Sequence, residues 1–379
     1  MPKPKYITRI DKLDGLSSDE KSSLRKVAEK FAFRTNEYYT SLIDWEDPND
    51  PIRRLVIPDE SELEEWGRLD ASQESEYTVA PGVEHKYRST ALLLVNDVCG
   101  AYCRFCFRKR LFMDDNDEVV RDVSDGIDYI RAHEEISNVL LTGGDPLIMS
   151  TGRLERIIKQ LREIDHVEII RIGTKMPVFN PMRITKDPSL LEMLARYSSF
   201  EKRIYIMVHV NHPVELTGVA VEGLGLLRQA GAVTVNQTPM IAGINDDPEV
   251  LSELFNKLSY IGVPPYYVFQ CRPTLGNHTF SVPVEKSYEI FEQARTRSSG
   301  LAKRARLVMS HATGKIEIAG LTETHVIFKY LRAARDEDNS RILIFERDPD
   351  ACWFDDYEEA DLQEVEDLLT GTNGVGGRE

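Results

Sequence analysis

The sequence predicts an α/β protein: a partial TIM-like barrel of six βα units, preceded by a helical cap and followed by an acidic extension. Three observations carry that expectation. Val- and Ile-rich runs alternate with segments of helical spacing, the pattern of βα units around a parallel sheet. Most of these runs end directly in a polar or cysteine-bearing cluster, and in such barrels reactive groups gather where the strands end. Charge is also uneven: of a net −16, the stretch from Asp336 to Asp367 carries −12, from 14 acids against Arg341 and Arg347.

Residues 1–85 form the cap, polar and helically spaced over 16–80, with a Pro-rich turn region at Asp44–Pro58. Residues 86–318 hold the barrel, with strands predicted at Ala91–Val95, Asn138–Leu141, Val167–Ile172, Ile204–His209, Val233–Asn236 and Tyr266–Gln270. Helices are predicted over Thr151–Ile164, Gly218–Ala230, Pro248–Ile261 and Val284–Ser298. The first strand runs into a cysteine loop, the second into Thr142-Gly143-Gly144-Asp145, the fourth into His209–His212 and the fifth into Asn236-Gln237. Residues 319–379 form the acidic extension. Trp353, Phe354 and Tyr357 imply that part of it packs, and the closing GTNGVGGRE reads as disordered.

A chain of 379 residues, 41% hydrophobic, suffices for one large α/β domain with attachments or for two smaller domains. Five cysteines, three of them in one short segment, make no disulfide framework, so a reducing cytoplasm is expected. The first residues lack an apolar run of the leader type, and no stretch of about 18 apolar residues could span a bilayer. The acidic surplus argues against nucleic-acid and anionic-membrane partners.

The segment Cys99-Gly100-Ala101-Tyr102-Cys103-Arg104-Phe105-Cys106 carries the sharpest chemistry. Thiolates at C-x3-C-x2-C spacing can hold three irons of a four-iron cluster and leave the fourth open. Clusters that only carry electrons usually take four cysteines. Zinc wants four ligands, often as C-x2-C pairs, and no second pair exists here. An open iron can bind the amino and carboxylate groups of S-adenosylmethionine (SAM) and split it reductively, and in this the segment resembles the radical SAM enzymes.

From about Leu16 to Lys315 the chain resembles the lysine 2,3-aminomutase family, radical SAM enzymes that also use pyridoxal phosphate (PLP). The matching segments are Asn49–Arg53, Pro81–Tyr87, Tyr102–Arg108, Gly143–Pro146, His166–Gly173, Asn211–Pro213, Asn236-Gln237 and Pro265–Tyr267. The resemblance implies a [4Fe–4S] cluster on Cys99, Cys103 and Cys106, with SAM and PLP beside it. It places Gly143, Gly144, Asp145, His209 and Gln237 at SAM, and glycines there also let backbone approach a ligand closely. Lys315 is the matching PLP lysine, within a Ser310–Lys315 loop shorter than the family's and with a single glycine. Lys86 and Tyr87 match positions at the PLP phosphate and ring. Arg108 matches an arginine that grips the substrate α-carboxylate, a task suited to a planar guanidinium.

The activity implied is amino-group migration: a 5′-deoxyadenosyl radical takes hydrogen from Cβ of an amino acid, and nitrogen moves from Cα to Cβ. The electrons would come from a flavodoxin- or ferredoxin-type donor. In lysine-using relatives, aspartates at the positions of Arg272 and Met309 hold the side-chain ammonium. A cation and a thioether there would leave that ammonium repelled or unpaired. An acidic substrate is therefore expected if Arg272 pairs with a substrate carboxylate, and a neutral one if Arg272 pairs instead with the acidic tail or a nearby loop. True lysine mutation is the alternative. So is action on a lysine of a protein partner, although relatives of that kind also keep the aspartate found as Arg272 here. After Lys315 only Cys352 remains, so zinc-linked tetramers are not expected, while a homodimer through the cap is compatible with the sequence.

Overall fold

The computed structural model describes residues 3–113 and 118–358. Two short strands, β1 (Tyr6–Ile7) and β2 (Thr35–Asn36), pair antiparallel in the N-terminal segment. Twelve more form one sheet in unbroken chain order. They are β3 (Thr78–Ala80), β4 (Val83–Tyr87), β5 (Thr90–Asn96), β6 (Asn138–Gly143), β7 (Ile169–Thr174) and β8 (Ile204–Val208). Then come β9 (Val233–Pro239), β10 (Pro265–Phe269), β11 (Arg306–His311), β12 (Gly314–Leu321), β13 (His325–Ala333) and β14 (Ile342–Glu346). From β5 to β11 every neighbour is parallel, and helices between them return the chain, including the predicted ones at Thr151–Arg162, Gly218–Gln229, Pro248–Tyr260 and Val284–Thr296.

Period-two alternation positions the site. On β7, Ile170 and Ile172 pack into the core behind the sheet, whereas Arg171 and Gly173 face a cavity inside the barrel. Some of these helices start on side-chain caps, such as Thr217 accepting from the Ala220 amide and Asp247 from the Glu249 amide. The third predicted strand begins two residues late, at Ile169, because the Val167 amide still closes a turn onto the Ile164 carbonyl.

Both ends of the barrel differ from expectation in the same way. The cap was expected to be helical, yet β3 and β4 extend the sheet, and the expected boundary at 85/86 runs through β4. Val83–Tyr87 has three polar residues in a row, so its pairing with β5, not its periodicity, marks it as a strand. The boundary at 318/319 likewise runs through β12, and the acidic extension continues the sheet as antiparallel β13 and β14. Its aromatic residues do pack: Trp353 and Tyr357 are buried, and Phe354 and Tyr357 stand edge-on to Phe328 on β13. The closing GTNGVGGRE lies outside the described residues.

Side chains join the two ends of the sheet across the barrel. The Tyr77 hydroxyl donates to the Ala312 carbonyl at 2.7 Å, and Lys86 donates to the His311 carbonyl. Arg332 on β13 donates to Thr90 Oγ1 at 2.9 Å and Ser89 Oγ at 2.6 Å, beside the β4–β5 turn. The C-terminal hairpins thus wall the same cavity as β5.

Candidate active site

Inside the barrel lies a cavity of about 470 Å3, lined from β4 through β13. That size lies within the range of small-molecule sites. Cys99, Cys103 and Cys106 line it where β5 ends, and each thiol is held above its usual range by burial first, with Asp145 adding to this at Cys99 while Lys175 opposes it at Cys103 and Arg108 at Cys106. Among the described residues no trio of His, Cys, Asp or Glu side chains is drawn as close as one metal ion requires. A four-iron cluster does not ask for that, because each thiolate binds its own iron. The N-terminal segment braces this loop: Arg104 is buried and donates to both Glu62 carboxylate oxygens at 2.8 Å, and the Tyr102 and Arg104 amides bond the Arg34 and Leu55 carbonyls. Cys103→Ala is expected to leave this brace folded while abolishing the visible charge-transfer absorbance after anaerobic reconstitution with iron and sulfide.

The Gly143-Gly144-Asp145 turn serves the cysteine loop as well as the cavity. Gly143 has φ +105°, and a Cβ on Gly144 would stand 2.5 Å from the Val98 carbonyl oxygen. The end of β6 therefore docks directly on the backbone leaving β5, where the Asp145 amide bonds the Val98 carbonyl at 2.9 Å. Gly144→Ala is expected to cost ~1–3 kcal/mol of unfolding stability through overpacking, measurable by chemical denaturation. Asp145 itself is a positioning residue: its carboxylate accepts from Thr174 Oγ1 and from the Leu147, Lys175 and Met176 amides, which leaves it committed to protein partners.

His209 and Gln237 meet in the cavity, with Gln237 Nε2 3.0 Å from His209 Nε2. Burial, then Lys175 and Arg108, push the imidazole down to about 3, so the ring is neutral. The amide donates to Nε2, and the ring proton sits on Nδ1. Lys175, which no motif reading singled out, lines the cavity and pairs at 2.5 Å with Glu215, itself fully buried.

Lys315 is the second residue of β12, after a tight turn at Ala312-Thr313, so the expected loop is a hairpin. Its Nζ lies 4.4 Å from the Tyr267 ring centre and 5.0 Å from that of Phe269. Burial first, then Arg171, Arg272, Arg332 and Lys86, bring the amine down to about 7. A neutral amine is what attack on an aldehyde needs. The neutral fraction rises as pH passes upward through this value, so the rate of PLP loading should rise about tenfold from pH 6 to 8 and then level. A lysine of ordinary pKa would keep gaining up to pH 10.

Lys86 is held down to about 8, chiefly by burial, and the Tyr87 hydroxyl is buried beside Ser310. Arg108 is fully engaged: Nε and Nη2 fork onto Glu74, Nη2 also approaches Glu84 at 3.4 Å, and Nη1 donates to the Thr142 hydroxyl at 2.8 Å. Only its Nη1 edge has a neutral partner. Glu84 is pushed up to about 7 by burial and by Glu74.

Met309 is corrected. It packs in the core behind β11 and does not line the cavity, whereas Ser310, one residue on, does. Strand alternation sends neighbouring side chains to opposite faces, and an apolar side chain goes to the core. Arg272 does line the cavity: its guanidinium carbon is 3.6 Å from the Phe107 ring centre, and its Nη1 is buried without a hydrogen-bond partner. Among the described residues Arg272 makes no ion pair with the acidic extension.

The donor set fits the expected groups. Lys86, Arg171, Arg272, Lys315 and Arg332 share the cavity with no carboxylate partner within ion-pair distance among the described residues. Such a surplus calls for anionic ligands.

This chemistry is shared with known proteins. The radical SAM superfamily pattern matches residues 93–255. An Aquifex aeolicus protein whose L-lysine 2,3-aminomutase name is itself provisional is 56% identical over 98% of this chain and 99% of its own. The L-lysine 2,3-aminomutase of Clostridium subterminale is 39% identical over 78% of this chain and 70% of its own. The glutamate 2,3-aminomutase of Clostridioides difficile is 38% identical over 78% and 69%. The chain belongs to the lysine 2,3-aminomutase family of radical SAM enzymes. It is an isomerase that uses a [4Fe–4S] cluster, SAM and PLP. No helix among the described residues is long and apolar enough to cross a membrane.

Proposed function

We propose that the enzyme moves the α-amino group of an acidic amino acid to Cβ. The observation that carries this reading is Arg272, a guanidinium in the cavity wall with a buried, unpartnered Nη1 and, among the described residues, no carboxylate within ion-pair distance. A substrate side-chain carboxylate would complete it with charge-assisted bonds. A lysine ammonium would meet Arg272 as a like charge in a secluded site, a cost of several kcal/mol.

When bound, the cluster and SAM supply the hydrogen-abstracting radical, and PLP carries the migrating nitrogen. The chain's own share is holding and orienting. Arg108, braced by Glu74, offers its Nη1 edge to the α-carboxylate, while Arg272 fixes the far end. Lys315 offers a neutral amine to PLP, and neutral His209 offers Nδ1–H in the SAM region.

The second reading is lysine itself, favoured by Glu84, whose Oε1 is buried without a partner and could take an ammonium. Anaerobic reconstitution with iron, sulfide, PLP, SAM and dithionite, followed by separate offers of glutamate, aspartate, alanine and lysine, decides between them. β-Amino isomers of glutamate or aspartate alone support the proposal. Turnover of lysine alone overturns it, and 5′-deoxyadenosine without any isomer points to a larger substrate.

A further inference from the structure

We propose that Arg332, on the C-terminal hairpin strand β13, anchors the PLP phosphate, so that the hairpins are part of the cofactor site. Arg332 follows the matching motif segments, which end at Lys315, and the inference holds whichever amino acid is the substrate.

Register supplies the first argument. Lys315 on β12 and Arg332 on β13 are direct antiparallel partners, so their side chains share a face, and both line the cavity. The second is charge. Arg332 is held in place by two neutral hydroxyls, Thr90 and Ser89, which fix its fork without compensating its charge. Across the cavity Arg171 is held the same way, with Nε donating to Asn138 Oδ1 at 2.8 Å. Neither forms an ion pair within the described residues, and the Arg332 guanidinium carbon lies 4.8 Å from the ring centre of Tyr87.

Position supplies the third. Thr90 and Asn138 are the first residues of β5 and β6, at the end of the barrel opposite the cysteines, which follow the C-terminal end of β5. A substrate must meet SAM near the cluster, so an anion held at the opposite end belongs to the cofactor. PLP has its aldehyde carbon and its phosphate on different substituents of one rigid ring. With Lys315 at the first, an arginine one strand away at the barrel floor suits the second. Two guanidinium groups facing a dianionic phosphate give bidentate, charge-assisted contacts.

The test uses cluster-reconstituted enzyme freed of PLP, titrated with PLP and separately with pyridoxal, which lacks the phosphate, and followed by cofactor absorbance. Arg332→Gln keeps a donor for the hydroxyls but removes the charge. It is expected to weaken PLP binding roughly 10- to 100-fold, the value of one or two charge-assisted bonds, and to leave pyridoxal binding unchanged. Inorganic phosphate should compete with PLP in the unaltered enzyme more strongly than in the variant. Unchanged PLP affinity overturns the proposal. Equal loss of PLP and pyridoxal also overturns it, since Arg332 would then only brace the β4–β5 turn. If Arg332→Gln fails to fold, Arg332→Lys, with its charge but no fork, is expected to weaken PLP by a smaller factor and to spare pyridoxal, and the same two outcomes would overturn it.

Discussion

Lys315→Ala is expected to abolish covalent retention of PLP after borohydride reduction and to lower turnover by at least about 10³-fold. The amine's surroundings set this role. Lys315 faces Tyr267 and Phe269, which take no proton, and cations rather than carboxylates. The two ring faces favour its ammonium form only weakly against burial and the surrounding cations, so the free enzyme keeps a nucleophile ready near neutral pH. Lys86, the other amine in the cavity with a lowered pKa, is the natural rival. It differs in being tied to the His311 carbonyl, which favours its charged form and suits a contact with phosphate. Peptide mapping after reduction separates the two. PLP on Lys315 supports the assignment; PLP retained by Lys315→Ala, or mapped to Lys86, sinks it.

What was legible beforehand follows from the kind of signal each residue leaves. The parallel strands announce themselves by apolar runs ending in polar clusters, and Cys99, Cys103 and Cys106 by a spacing that few chemistries share. Lys315 and Arg272 were reached through resemblance, and both line the cavity. Met309 does not reach the cavity, because neighbouring side chains of β11 take opposite faces and its apolar side chain takes the core. Arg332 left no signal at all. It lies past the last motif segment, and only the pairing of β12 with β13 brings it opposite Lys315. Glu74 and Glu84 fall in the segment expected to be a helical cap, and only the pairing of β4 with β5 brings Glu84 to the cavity.

Arg272→Met is expected to stabilise the enzyme while disabling it. A buried guanidinium with an unpartnered nitrogen and no carboxylate within ion-pair distance destabilises the ligand-free chain, and burial outweighs the nearby Glu74 charge to bring its pKa down to about 10. Its stacking on Phe107 offsets part of that cost but cannot supply a counter-charge. Replacing it by an apolar side chain of similar length should therefore raise the melting temperature of the enzyme without substrate, with a gain of ~1–4 kcal/mol. The same change should lower kcat/KM for an acidic substrate by roughly 10²- to 10³-fold, because it removes the partner of a desolvated carboxylate. Arg272→Asp extends the test by reversing the charge: acidic substrates should be rejected further, and lysine turnover should appear or rise. A structural arginine behaves differently, because its loss lowers stability and reduces activity on every substrate alike. If Arg272→Met melts below the unaltered enzyme and keeps its substrate preference, the guanidinium is part of the scaffold and the acidic-substrate reading falls with it.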